Sequence, residues 1–158
     1  MHLNVFLLFK NVSWWAGFLG WFLAQMVKVF LNLKRTGRID FQYLVSLGGM
    51  PSAHTATVCA LTTSIGLNAG FETPLFAVAL ALATIVMFDA STVRRAAGQQ
   101  ARLLNEIVEE IFKSHRVSHI KLKELLGHTR TEILVGMLIG IGVGLITNIL
   151  WQILGFAP

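Results

Sequence analysis

Four long apolar stretches separated by polar or glycine-containing breaks set the pattern of this chain. Trp14 to Leu33 is apolar except for Gln25, Lys28 and Asn32 and opens on a tryptophan pair suited to a membrane interface. Pro51 to Leu67 is shorter and rich in Ser and Thr. Pro74 to Phe88 ends at Asp89, and Ile133 to Phe156 carries glycines at 136, 140, 142 and 144. Because about 20 mainly apolar residues carry a helix across ~30 Å of hydrocarbon, the pattern predicts four membrane-spanning helices. The second should lie inside the bundle, with its hydroxyls bonded to helix carbonyls rather than facing lipid. Gly136, Gly140 and Gly144 form small-xxx-small pairs, which suit either a homodimer face or close packing within one chain.

Between Ser91 and Phe112 the pattern changes. Val93, Ala97, Leu104, Ile107, Val108 and Ile111 fall on one side of a helix, and Arg102, Glu106, Glu109 and Glu110 on the other. This predicts an amphipathic helix along the membrane surface or beneath the bundle. Phe41 to Leu47 reads as a short interfacial or re-entrant piece, and Lys113 to Arg130 as a basic connection with a short helix around Leu122 to Leu126.

Composition agrees with the bilayer as solvent. Of 158 residues, 54% are hydrophobic and 13% charged, and the mean hydropathy of +0.66 excludes an ordinary soluble domain. The expected fold class is therefore all-α, an integral membrane helical bundle forming one domain over residues 1–158. The first apolar run continues past the usual length of a secretory signal, so insertion by the first span itself is expected. Cys59, the single cysteine, allows no internal disulfide and reads as packing.

With four spans, segments 34–50 and 89–132 share one side of the membrane and hold 11 of the 13 Lys and Arg residues. The positive-inside rule assigns that side to the cytoplasm and both termini to the other. A cell membrane location with a cytoplasmic site is the resulting expectation.

The candidate chemistry gathers on that basic side. Lys28 and Arg35 are seven residues apart, nearly two helical turns, so both can address one anion about 10 Å along the helix. A snorkelling lysine and a topological arginine fit the same spacing. Gly48-Gly49-Met50-Pro51-Ser52-Ala53-His54 reads as a helix start, with Pro51, Ser52 and His54 in the first turn. Amide groups and the helix dipole favour a phosphate there, Ser52 adds a hydroxyl, and His54 can exchange a proton near neutral pH. A Ser cap beside an interfacial His fits as well. His128 and Glu132 lie one turn apart, so the carboxylate can hold one ring nitrogen's proton and leave the other nitrogen free to attack an electrophile. A dipole-favoured carboxylate beside a solvated His is the plainer alternative. Arg94 and Arg95 suit phosphate oxygens or anionic lipid equally. Asp89 reads as a partner for one of these arginines, and His115 and His119 read as solvated loop residues with no metal-ligand geometry.

In this order the residues resemble the type 2 phosphatidic acid phosphatase superfamily, and most closely its small divergent bacterial and plant branch of membrane proteins. Lys28 and Arg35 match Lys-x6-Arg-Pro, with Thr36 in place of the proline. Pro51, Ser52 and His54 match Pro-Ser-Gly-His, with Ala53 in place of the glycine. His128 and Glu132 match the His-x3-Asp end of Ser-Arg-x5-His-x3-Asp, whose arginine falls at Leu122. The run Asp89, Arg94, Arg95, Ala96, Ala97 and Gly98 resembles the divergent branch, and the likeness extends from Trp15 to Gly136. It implies a lipid phosphate or diphosphate phosphatase working through a phosphohistidine, with His128 as nucleophile, Glu132 orienting it and His54 as acid. Lys28, Arg35, Ser52 and Arg94 or Arg95 would hold the phosphoryl oxygens. The implied partners are a lipid phosphate and the bilayer, with no cofactor, metal or nucleic acid. The rival readings are a lipid-phosphate binding or transport protein without turnover, and a structural membrane protein whose charges are topological.

Overall fold

The computed structural model describes residues 5–37, 49–111 and 128–156. These form a short 3-10 helix, Val5–Lys10, and five α-helices: α1 (Val12–Thr36), α2 (Ala53–Ala69), α3 (Pro74–Ser91), α4 (Val93–Ile111) and α5 (Arg130–Ile153). No strand occurs among the described residues, and the all-α membrane bundle expected from the pattern is the fold. The interfacial piece at 41–47 and the short helix at 122–126 lie outside the described residues.

Local chemistry sets the helix ends. α1 begins two residues earlier than the apolar pattern suggests because Asn11 caps it, its side-chain oxygen accepting from the Ser13 and Trp14 amides at 2.9 and 3.2 Å. It ends where Gly37 turns left-handed with φ 68°. Thr73 caps α3 and Pro74 occupies its first turn, where a missing N–H costs nothing. α5 starts at Arg130 rather than Ile133 because Thr129 and Glu132 form a reciprocal capping box.

α1, α5 and the run Pro74–Val108 are long and apolar enough to cross a membrane. α2, at 17 residues, is the shorter central helix and packs against α1, α3 and α5. Its hydroxyls bond inward as expected: Thr57 donates to the Ala53 carbonyl at 2.7 Å, Thr62 to Ala79 of α3 at 3.1 Å and Ser64 to the Ser13 hydroxyl at 2.9 Å. Lipid supplies no hydrogen bonds, so hydroxyl-rich helices go to the middle.

Glycine lets α2 sit that close. A methyl group on Gly20 of α1 would fall 2.8 Å from the Ala56 carbonyl oxygen; on Gly140 of α5 it would fall 2.5 Å from the same atom. Gly136 and Gly144 abut Ser52 and Ala60 in the same way, whereas Gly142 meets nothing. The small-xxx-small row of α5 is thus used within the chain. Cys59 is buried in this seam, its sulfur 4.0 Å from that of Met87.

The pattern break at Ser91 is real: α3 ends there and α4 follows after Thr92. Among the described elements α4 contacts α3 alone, and Val93, Leu104, Ile107 and Val108 are exposed. At the bundle end remote from His128, Trp14, Trp15, Phe9 and Phe18 stack on one another. There the Trp15 indole donates to the Phe9 carbonyl at 2.9 Å, an amphipathic cluster suited to a membrane interface.

Candidate functional site

The site is assembled where α2 and α5 begin and α3 ends. Two backbone bonds tie these ends together: the Ser52 amide donates to the Glu132 carbonyl at 3.0 Å, and the His128 amide donates to the Ala90 carbonyl at 3.1 Å. The first needs Gly136, since a side chain there would meet the Ser52 carbonyl oxygen at 2.6 Å.

Pro51 lies before α2 rather than in its first turn, which corrects the sequence reading. Ser52 is extended and caps the helix, so the helix proper starts at Ala53. Its hydroxyl oxygen accepts from the Thr55 amide at 3.4 Å and the Thr55 hydroxyl at 3.0 Å. Ser52 is 0% exposed. It caps α2 and is not among the residues that line the cavity shared by His54 and His128.

His128 is buried, 3% exposed, and its Nδ1 is 3.1 Å from Glu132 Oε2. The same oxygen accepts the Thr129 amide at 2.9 Å, so it acts as an acceptor and the Nδ1 proton belongs to the histidine. In the neutral imidazole Nε2 is then the ring nitrogen with the lone pair. Glu132 therefore performs both tasks that the sequence left open, capping α5 and fixing an imidazole. The capping half was legible as Thr129-x-x-Glu132. The Ala90 carbonyl and Gly136, which also hold the site, carry no motif of their own.

His54, on the first turn of α2, is exposed and shares a cavity of about 220 Å³ with His128, Ile85, Val86, Asp89 and Ala90. The two histidines, 74 positions apart in the chain, thus line one space. Lys28 is buried, 4% exposed, on the inner face of α1, where the Glu132 carboxylate attracts it electrostatically. Arg35 stands exposed on the last turn of the same helix. Arg94 and Arg95 belong to the first turn of α4, one residue beyond the end of α3. Arg38, His115, His119 and Leu122 lie outside the described residues. Among the described residues, no group of three or more His, Cys, Asp and Glu side chains is arranged to hold a metal ion.

The helical bundle, its three helices long and apolar enough to span a membrane, and the family match below together mark a membrane protein of the type 2 phosphatidic acid phosphatase kind. Residues 9–143 match the model of the Divergent PAP2 family, and the chain belongs to that family. It is 40% identical over 129 residues to the "Uncharacterized membrane protein YuiD" of Bacillus subtilis (strain 168), a match covering 75% of this chain and 82% of that protein. No solved structure matches the chain significantly.

Proposed function

We propose that the protein is a membrane phosphatase that hydrolyses a lipid phosphate or diphosphate at the cytoplasmic face. The observation that carries this reading is the His128–Glu132 pair, 3.1 Å apart, beside a cavity shared with His54. His128 Nε2 attacks phosphorus while the bond to the leaving oxygen breaks, and His54 gives that oxygen its proton. Water then attacks the phosphohistidine, returns a proton to His54 and releases phosphate as the P–N bond breaks. Glu132 keeps the Nδ1 proton in place throughout. Lys28, Arg35 and one of Arg94 or Arg95 offset the phosphoryl charge, and Ser52 contributes through the helix start it caps.

Phosphate release by the purified protein from a panel of lipid phosphates, set against His128→Ala, tests the reading. Turnover by the wild type that disappears in the variant supports it, and equal rates in the two proteins overturn it. Leu122, standing where the superfamily's third element has arginine, favours a second reading in which the pocket binds a lipid phosphate without turnover. Binding of a phosphorylated lipid that weakens in Lys28→Ala, with no phosphate released, would select it.

A further inference from the structure

Asp89 lines the cavity with both histidines, and the chemistry above gives it no task. We propose that Asp89 is a positioning residue for His54, its carboxylate accepting one ring N–H so that the other is held towards the leaving oxygen. This rests on the phosphatase reading of the same site.

Placement argues for it. Ile85, Val86, Asp89 and Ala90 form one face of α3, the face that walls the cavity, and Asp89 is half-buried there. The next carbonyl, that of Ala90, takes the His128 amide at 3.1 Å, so this turn of α3 is fixed against the nucleophile's own residue. His54 reaches the same cavity from α2, which packs on α3. The last turn of α3 is thus a common neighbour of both imidazoles.

Of the basic residues near this turn of α3, Arg94 and Arg95 follow the break at Thr92, on α4. Arg130 lines a separate cavity with Thr84, Met87, Phe88, Ser91 and Ile133, on the opposite face of α3. The other ionisable side chains described on helices packed against α2 include Lys28, Lys34 and Arg35 of α1 and Glu132 of α5, which is engaged with His128.

The chemistry also requires a partner for such a carboxylate. Standing bare in a phosphate site it would repel the substrate; accepting from an imidazole, it becomes part of a proton-donating pair. His128 and Glu132 already form one imidazole–carboxylate pair, which keeps the attacking lone pair on Nε2. His54 and Asp89 form the second, which directs an N–H to donation. When the P–O bond breaks, that proton passes to the departing oxygen and the remaining N–H stays on Asp89. The attacking water restores the proton as its oxygen bonds to phosphorus and the P–N bond breaks.

Wild type, Asp89→Asn, Asp89→Glu, His54→Ala and the Asp89→Asn/His54→Ala double variant would be compared on an alkyl lipid phosphate and on a nitrophenyl phosphate. Asp89→Asn should lower kcat on the lipid by about 10- to 100-fold with KM little changed, and should cost far less with the nitrophenyl leaving group, which hardly needs a proton. Asp89→Glu should recover part of the loss, and Asp89→Asn should add nothing to His54→Ala. Equal losses on both substrates, or losses that multiply in the double variant, overturn the proposal. The ring-nitrogen NMR signals of His54 give a readout that does not depend on turnover. A change confined to His54 in Asp89→Asn, with His128 unmoved, supports the pair; an unchanged His54 overturns it. A wild type that turns over neither ester, yet shows this His54 change, would sink the phosphatase reading and leave the pair standing.

Discussion

At the scale of single residues, the site depends on which nitrogen carries a proton. Glu132 Oε2 accepts from both the Thr129 amide and His128 Nδ1, so its cap and its imidazole contact are separable by mutation. Thr129→Ala removes the reciprocal half of the capping box. It should lower stability by about 1 kcal/mol in a thermal melt while leaving most turnover, because the carboxylate stays in place. Glu132→Gln should do the reverse: an amide can still reach the Thr129 amide, but it supports the imidazole less well, so activity should fall more than stability. His128→Ala should abolish both turnover and covalent phosphoryl labelling. His54→Ala should slow a lipid phosphate by roughly 10²- to 10⁴-fold and a nitrophenyl ester much less. Turnover retained in His128→Ala but lost in His54→Ala on every ester would exchange the two roles. These residue types and intervals were readable in the sequence, because one helical turn is a local distance. The meeting of His54 with His128 followed only from the family resemblance, since residue spacing does not show how α2 and α5 start against each other.

At the scale of elements, the bundle is held by the seam between α2 and its glycine-bearing neighbours. Gly140→Ala puts a methyl group 2.5 Å from the Ala56 carbonyl oxygen and 2.8 Å from Cys59 Cβ, both atoms that cannot swing aside. It should destabilise by about 1 to 3 kcal/mol, as overpacking does, seen as a lower melting temperature in detergent. Gly142→Ala, two residues away and facing open space, should be neutral or slightly stabilising, since alanine favours helix. Equal effects of the two substitutions would mean that α5 does not pack on α2 through this face. The glycine spacing was visible in sequence, but it could not say whether the row met another helix of the same chain or a second copy. α2 decides this, because its Ser52, Ala56 and Ala60 are the atoms in contact. The boundaries were legible where a cap is spelled out, as at Thr73-Pro74 and Thr129-x-x-Glu132. Pro51 was misread because a proline before a cap and one after it look alike until the serine's hydrogen bonds are known.

At the scale of the whole molecule, orientation follows from charge. On the expected four-span crossing the basic segments 34–50 and 89–132 would share one side, so cysteine probes near Glu72 and at the C-terminus should label from outside intact cells, and probes at Arg38 or Lys121 should not. External labelling of Arg38→Cys would reverse the orientation and with it the cytoplasmic site. The sequence by itself determined the all-helical membrane class, the central place of the hydroxyl-rich second helix and the change to an amphipathic helix after Ser91. Each of these is a matter of periodicity and of solvation in lipid, which act locally along the chain. Only the tertiary structure decided that two backbone bonds, Ser52 to Glu132 and His128 to Ala90, draw three helix ends together. It alone turned Ser52 inward as a cap, buried His128 and Lys28, and set Asp89 in the wall of the cavity that His54 and His128 line. Those outcomes depend on side chains and carbonyls from helices far apart in sequence, whose approach is set by which faces are small enough to touch.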